Sequence, residues 1–146
     1  MKRSLALAAV LALTLTAAAF AGVQDFSRLT IDVAAGWTAS EQQGTVVITK
    51  NDNSAQLTIS IAETGGATKT QLAEAFVAEF KKTFADVTSP EADSDGDYSW
   101  DMKTENGAES HAMLSAEGGE FMLLVMTNIN AAPDDFSAML DSIKQK

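Results

Sequence analysis

Cysteine is missing from the whole chain, so neither a disulfide nor a thiolate metal site can be built from it. Histidine occurs once, as His111, which rules out zinc sites made of histidine and cysteine. It also leaves one side chain whose unperturbed pKa suits proton transfer near neutrality. Basic residues are scarce, with 10 Lys and Arg against 20 Asp and Glu and a net charge of −10. Nucleic acids and anionic lipid surfaces are held by basic footprints, so this balance excludes both as partners. Proline occurs only twice, and no repeat, low-complexity tract or long linker interrupts the chain after its first residues. No glycine-rich loop has phosphate-binding spacing, because Gly65-Gly66 and Gly118-Gly119 each fit a tight turn.

What the chain does have begins with an export signal. Lys2 and Arg3 precede an apolar run from Ser4 to Ala18, and Ala19-Phe20-Ala21 then offers the small-x-small pattern that signal peptidase reads. The run is short for a span of ~20 residues, and no basic stop-transfer cluster follows it. The reading is a signal peptide at 1–21 and a single domain at 22–146, with no stable membrane insertion after cleavage. Loss of Lys2 and Arg3 leaves 8 basic residues against 20 acidic ones, a net charge of about −12. The domain is expected to be periplasmic or secreted. A chain of this size buries roughly two-thirds of its unfolded surface, so packing alone can stabilise it.

Residues 97–127 organise the rest. They read as an antiparallel meander of three strands with turns at Asn106-Gly107 and Gly118-Gly119. Its last strand, Phe121-Met122-Leu123-Leu124-Val125-Met126, is apolar at every position, which places it mid-sheet with both faces covered, here by two amphipathic helices. A two-residue turn at Asn106-Gly107 pairs Met102 with His111 and Trp100 with Met113. The next turn sets Met113 beside Leu124 and Leu114 beside Leu123. Trp100, Met113 and Leu124 would then share one face, and Leu114, Leu123 and Val125 the other.

Upstream, Leu29, Ile31 and Val33 alternate with polar residues as a half-buried strand, and Ala34-Ala35-Gly36 turns the chain so that Trp37 packs back. Residues 45–50 and 55–62 flank the turn-formers Asn51-Asp52-Asn53-Ser54, a hairpin that puts Ile48 opposite Leu57 and Val46 opposite Ile59. Thr68 and Gln71 form a capping-box pattern, after which Leu72, Phe76, Phe80 and Phe84 recur every fourth residue on a helical stripe. A closing helix starts at Pro133-Asp134-Asp135, where proline is tolerated and carboxylates meet the positive end of the helix dipole. Phe136, Met139, Leu140 and Ile143 are its apolar face. The fold class is α+β: a single antiparallel sheet of about five to seven strands with helices packed on its faces.

Few residues are placed to carry chemistry. Asp93-Ser94-Asp95-Gly96-Asp97 spaces carboxylates as calcium loops do, but the sixth and twelfth positions, which need Gly and Glu, hold Tyr98 and Thr104. A solvated acidic turn accounts for it. Ser110 neighbours His111 in sequence yet points to the opposite face of a strand, so it cannot be the nucleophile of a Ser-His pair. No catalytic, cofactor-binding or metal residue is assigned.

The stretch Leu29-Thr30-Ile31-Asp32-Val33-Ala34-Ala35-Gly36-Trp37, followed by hairpin, helix, meander and closing helix, resembles the PsbP-like, DcrB-related group of small exported domains. Members often have proline where this chain has Ala34. The resemblance implies a curved antiparallel sheet between helices, a PsbP-like sandwich, and mostly non-enzymatic roles, and it transfers no site residue. The expectation is an exported, non-enzymatic binding or accessory protein of the bacterial envelope whose partner is an envelope protein or complex, with no cofactor. Two alternatives stand beside it. One is a small-molecule or lipid carrier with a cleft between helix and sheet lined by Met102, Met113, Met122 and Met126; the other is a hydrolase using His111.

Overall fold

The structure, a computed structural model, describes residues 21–146; the export signal read over residues 1–21 ends at the first of these and otherwise lies outside the described residues. The elements run β1 (Gly22–Asp25), β2 (Leu29–Val33), β3 (Trp37–Gln42), β4 (Thr45–Lys50), β5 (Gln56–Glu63), α1 (Lys69–Phe80), β6 (Asp86–Val87), β7 (Glu91–Ala92), β8 (Tyr98–Lys103), β9 (Glu109–Glu117) and β10 (Glu120–Thr127). A 3-10 turn (Ile129–Ala131), α2 (Pro133–Ser142) and β11 (Lys144–Gln145) close the chain.

Two sheets form where one was expected. The larger has eight strands in the order β3-β4-β5-β10-β9-β8-β6, with β7 also paired to β8; the smaller has three, in the order β1-β2-β11. The expected five to seven strands were too few because β1, β6, β7 and β11 are short pieces without apolar alternation, and β3 after Trp37 is mostly polar. The β2 strand leaves the main sheet and lies over it. Its C-terminal partner is held by Lys144 opposite Thr30, and Ser142 Oγ accepts the Asp32 amide at 2.9 Å.

Strand β10 is central, between β5 and β9, as its unbroken apolarity required. Its odd-numbered residues Phe121, Leu123 and Val125 join Trp100, Met102, Ala112 and Leu114 beneath Leu72, Ala73, Phe76, Val77 and Phe80 of α1. Phe76 meets Phe121 edge-on at 5.4 Å, and Phe80 lies 6.1 Å from Trp100. On the other face Met126, with the partly buried Met122 and Leu124, joins a second cluster made by β2, β3, β4, β5 and α2. Thus α1 covers one face, while α2 shares the other with the small sheet.

Local chemistry places each piece. The Thr68 hydroxyl accepts the Gln71 amide at 3.1 Å, and the Gln71 side chain accepts the Thr68 amide at 2.9 Å, a reciprocal cap that satisfies two otherwise orphaned donors. The helix stops at Phe80, so Phe84 leaves the stripe but still packs on Phe80 at 5.8 Å. Gly36, at φ 83°, takes the left-handed position of the turn into β3, which drops Trp37 into the core. There the indole packs edge-on against Phe136 at 5.3 Å and donates from Nε1 to Asp135 Oδ2 at 2.8 Å. That pair fastens α2 to the start of the main sheet.

The β4–β5 register is the one the sequence implies: Ile48 opposite Leu57 and Val46 opposite Ile59. The β8–β9 register is not. Asp101 faces His111 and Trp100 faces Ala112, one residue from the expected pairing. Thr104 donates its amide to Ala108 O at 3.0 Å, and Gly107, at φ 84°, donates to Thr104 O at 2.9 Å. The connection is therefore a three-residue loop ending in a left-handed glycine rather than a two-residue turn. A slip of one residue exchanges the faces of a strand. Trp100 consequently lies with Leu114, Leu123 and Val125, while Met113 and Leu124 lie on the opposite face.

Candidate functional site

The two covers are offset along the sheet. The small sheet and α2 cover one face mainly over β3–β5, and α1 covers the other over β8–β10, so each face keeps an uncovered half. On the α1 side of β3–β5, cross-strand pairing lines up Thr38, Thr49 and Gln56 in one row, Ser40, Val47 and Thr58 in the next, and Gln42, Thr45 and Ser60 in a third. All are half-buried or exposed, and none is charged. Strand spacing of about 4.8 Å and a same-face repeat of about 6.8 Å make this a regular grid. Thr45 and Ser60 hydroxyls meet across strands at 3.2 Å, and the Thr38 hydroxyl donates to Asn51 Oδ1 at 2.7 Å. No sequence pattern marks this patch, because β3 after Trp37 lacks the apolar alternation of a half-buried strand.

The other uncovered half, on the α2 side of β8 and β9, is chemically different. It presents Asp101, Lys103, Glu109, His111 and Met113. His111 Nδ1 sits 2.7 Å from Asp101 Oδ1, Lys103 lies 3.9 Å from Glu109, and Asn130 Nδ2 donates to Glu109 Oε2 at 3.0 Å. Ser110 points into the α1 core, 1% exposed, where its hydroxyl accepts the Asn128 amide at 3.2 Å. The structure therefore keeps Ser110 and His111 apart, as strand alternation required. Among the described residues, no cluster of three or more His, Asp or Glu side chains is arranged to hold a metal ion.

The acidic turn at Asp93–Asp97 is organised by its own backbone. Asp93 Oδ1 accepts the amides of Asp95 and Asp97, each at 2.9 Å, and Asp97 pairs with Lys69 at 3.1 Å. The four methionines of the carrier alternative do not line one cleft: Met102 belongs to the cluster under α1, whereas Met113, Met122 and Met126 face the other way. Two open grooves lie instead at one end of the sheet. One, of about 590 Å³, runs between the Gly65-Gly66 and Gly118-Gly119 turns; the other, of about 230 Å³, lies beside Arg28, Glu120 and Lys146. Neither separates a helix from the sheet.

No family model matches this chain, and no curated protein matches it either. Among solved structures it is similar to cyanobacterial PsbP (CyanoP) from Synechocystis sp. PCC 6803, with a TM-score of 0.57 over 92% of this chain and 99% of that one, at 13% identity. The chain has a PsbP-like fold. A crystal structure from Bacteroides thetaiotaomicron VPI-5482 is also similar, at 13% identity and a TM-score of 0.47, covering 81% of this chain and 45% of that one. Within the PsbP-like fold, the Leu29–Trp37 stretch forms β2 and the turn into β3, joining the two sheets. Among the described residues no helix is long and apolar enough to cross a membrane.

Proposed function

We propose that this is an exported, non-enzymatic accessory protein that docks onto a protein of the bacterial envelope through the uncharged grid on β3–β5. One observation carries the reading: in a chain with a net charge of −10, the outward residues of these three adjacent strands bear no charge. Interface centres are depleted of charge, because burying an unpaired ion is costly, whereas hydroxyls and amides can be satisfied across a contact. An open sheet face that neither groove enters suits another folded protein better than a small molecule, which needs a concave site. The PsbP-like fold fits an accessory role in general, and the apolar residues between α1 and the sheet are buried in one cluster.

Site-specific photo-crosslinking tests this. A crosslinker at Thr58 or Val47 in the native envelope is expected to capture one defined protein, and one at Glu74, on the outer side of α1, is not. Thr58→Lys should abolish that capture while leaving the melting temperature near wild type, since Thr58 is only half-buried. Capture from Glu74 alone, or capture that survives Thr58→Lys, sinks the assignment.

A further inference from the structure

Where the uncovered face of β8 and β9 meets the core on β10, at the 6% exposed Met126, lies a second arrangement, independent of the docking face. In the observed register, Asp101, His111 and Met126 form one row across three strands. Met113 stands two residues along β9 from His111, on the same face. An ionised carboxylate cannot donate, so the 2.7 Å contact makes His111 Nδ1 the donor to Asp101, and in the neutral imidazole the lone pair is then on Nε2. With Nδ1 held by Asp101 on β8, Nε2 is the ring nitrogen that this contact leaves unused, and Met126 is the cross-strand partner of His111 on β10. Histidines that bind metals are held in this way, with the far nitrogen donating to a carboxylate that fixes the tautomer and ring orientation.

We infer that His111, Met113 and Met126 form a site for a soft monovalent cation, Cu(I) or Ag(I). Side chains directly across a strand pair have Cβ atoms about 5 Å apart and those two along a strand about 7 Å. Two flexible methionines can converge on Nε2 from those positions. Two thioethers and one imidazole are a soft, uncharged donor set, which favours Cu(I) over hard oxygen-seeking cations. Being neutral, the set leaves the charge of a divalent ion uncompensated at the metal. Met113 is also one of only two large apolar residues among those described that are clearly exposed, at 38%, and a metal site gives such a side chain a reason to stay at the surface. The acidic surface raises the local concentration of any cation.

The test is Ag(I), which needs no reductant, titrated into the purified protein by calorimetry and thermal unfolding, with Cu(I) under anaerobic conditions for X-ray absorption. One equivalent is expected to bind and raise the melting temperature, with sulfur and nitrogen neighbours in the absorption spectrum. Met113→Leu, a substitution at a 38% exposed residue, and His111→Gln should each weaken binding more than tenfold. Asp101→Asn, acting through the histidine, should weaken it by about 10-fold or more. Met122→Leu, on the same face but opposite Ser115, should bind as wild type does. Absence of saturable one-to-one binding, wild-type affinity in Met113→Leu, or equal affinity for Zn(II) each overturns the inference.

Discussion

The two cores on either side of the main sheet are built by opposite strategies. The cluster under α1 is drawn from residues 72 to 125, a helix laid on the meander that follows it, and is rich in aromatic rings. The other cluster joins residues 29–61 to 126–139, is largely aliphatic away from Trp37 and Phe136, and is closed only when the C-terminal segment returns to β2. The first is made of neighbours in sequence; the second needs both ends of the described chain. Contacts between distant segments cost more loop-closure entropy before they are rewarded. The helix-covered half is therefore expected to be the more autonomous, and β10, whose side chains enter both cores, is the element that couples them.

The largest predicted effects test that coupling. Leu123→Asp strikes the core under α1 and Ile59→Asp strikes the other, and both residues are essentially inaccessible. Each variant is expected to lose the whole fold, because an unpaired buried charge costs several kcal/mol, comparable to the stability of a domain. The milder Leu123→Ala and Leu57→Ala should each cost about 2–5 kcal/mol. Hydrogen exchange in the alanine variants sharpens the comparison. If β10 couples the cores, protection falls in both halves of the sheet in both variants. Protection retained in the half away from the mutation would show two separate units.

A smaller effect separates the two tryptophans. Both are 2% exposed, but Trp37 Nε1 has the Asp135 carboxylate at 2.8 Å and Trp100 Nε1 has no hydrogen-bond partner among the described residues. Replacing either by Phe removes similar apolar volume. Only Trp37→Phe also removes a hydrogen bond to a charged acceptor, worth about 1.5–3 kcal/mol, whereas Trp100→Phe relieves an unsatisfied donor. Denaturant melts should therefore show Trp37→Phe as the more destabilised by about 1–2 kcal/mol. Equal losses would mean that the Trp37–Asp135 bond does not fasten α2 in solution.

The two cores also differ in how far they could be read from the sequence. The helix-covered one was legible: Leu72, Phe76 and Phe80 recur at helical spacing behind a Thr68–Gln71 cap, and the unbroken apolarity of Phe121–Met126 required a central strand. The other was only half visible. The β4–β5 hairpin followed from its turn-formers and apolar alternation, but Thr38, Ser40 and Gln42 gave β3 no such pattern. The strands β1 and β11 exist only because β2 offers them an edge. Both candidate surfaces were lost for related reasons. The hydroxyl grid requires β3 to be a strand. In the Asp101–His111–Met126 row, the His111–Met126 pairing follows from the Gly118-Gly119 turn as expected, whereas the Asp101–His111 pairing requires a three-residue loop at Glu105–Gly107, where an Asn-Gly pair suggests two residues. Periodicity identifies elements, but a difference of one loop residue decides which side chains meet across strands.

The smallest predicted effect concerns the hairpin loop of the long-range core, and it depends on pH. In the β4–β5 connection, Asp52 Oδ1 accepts the Ser54 hydroxyl at 2.6 Å and the Ser54 amide at 3.0 Å, while Lys50 Nζ lies 3.1 Å from Oδ2. These contacts, the Ser54 hydroxyl first, hold its pKa at about 2 rather than the ordinary 3.8. A carboxyl whose folded pKa is depressed contributes stability that is fully present above its unfolded value and is lost as pH falls through the folded one. The window here therefore runs from about pH 4 down to about pH 2. Because Asp52 is fully solvent-exposed, the contribution is expected to be slight, visible as a local rather than a global change. Carboxyl-detected NMR titration should place the Asp52 midpoint near 2, and Ser54→Ala should move it back toward 3.8. An unchanged midpoint in Ser54→Ala would assign the shift to the Ser54 amide and Lys50 together, and only the Lys50 share would be lost in Lys50→Met and weakened by added salt.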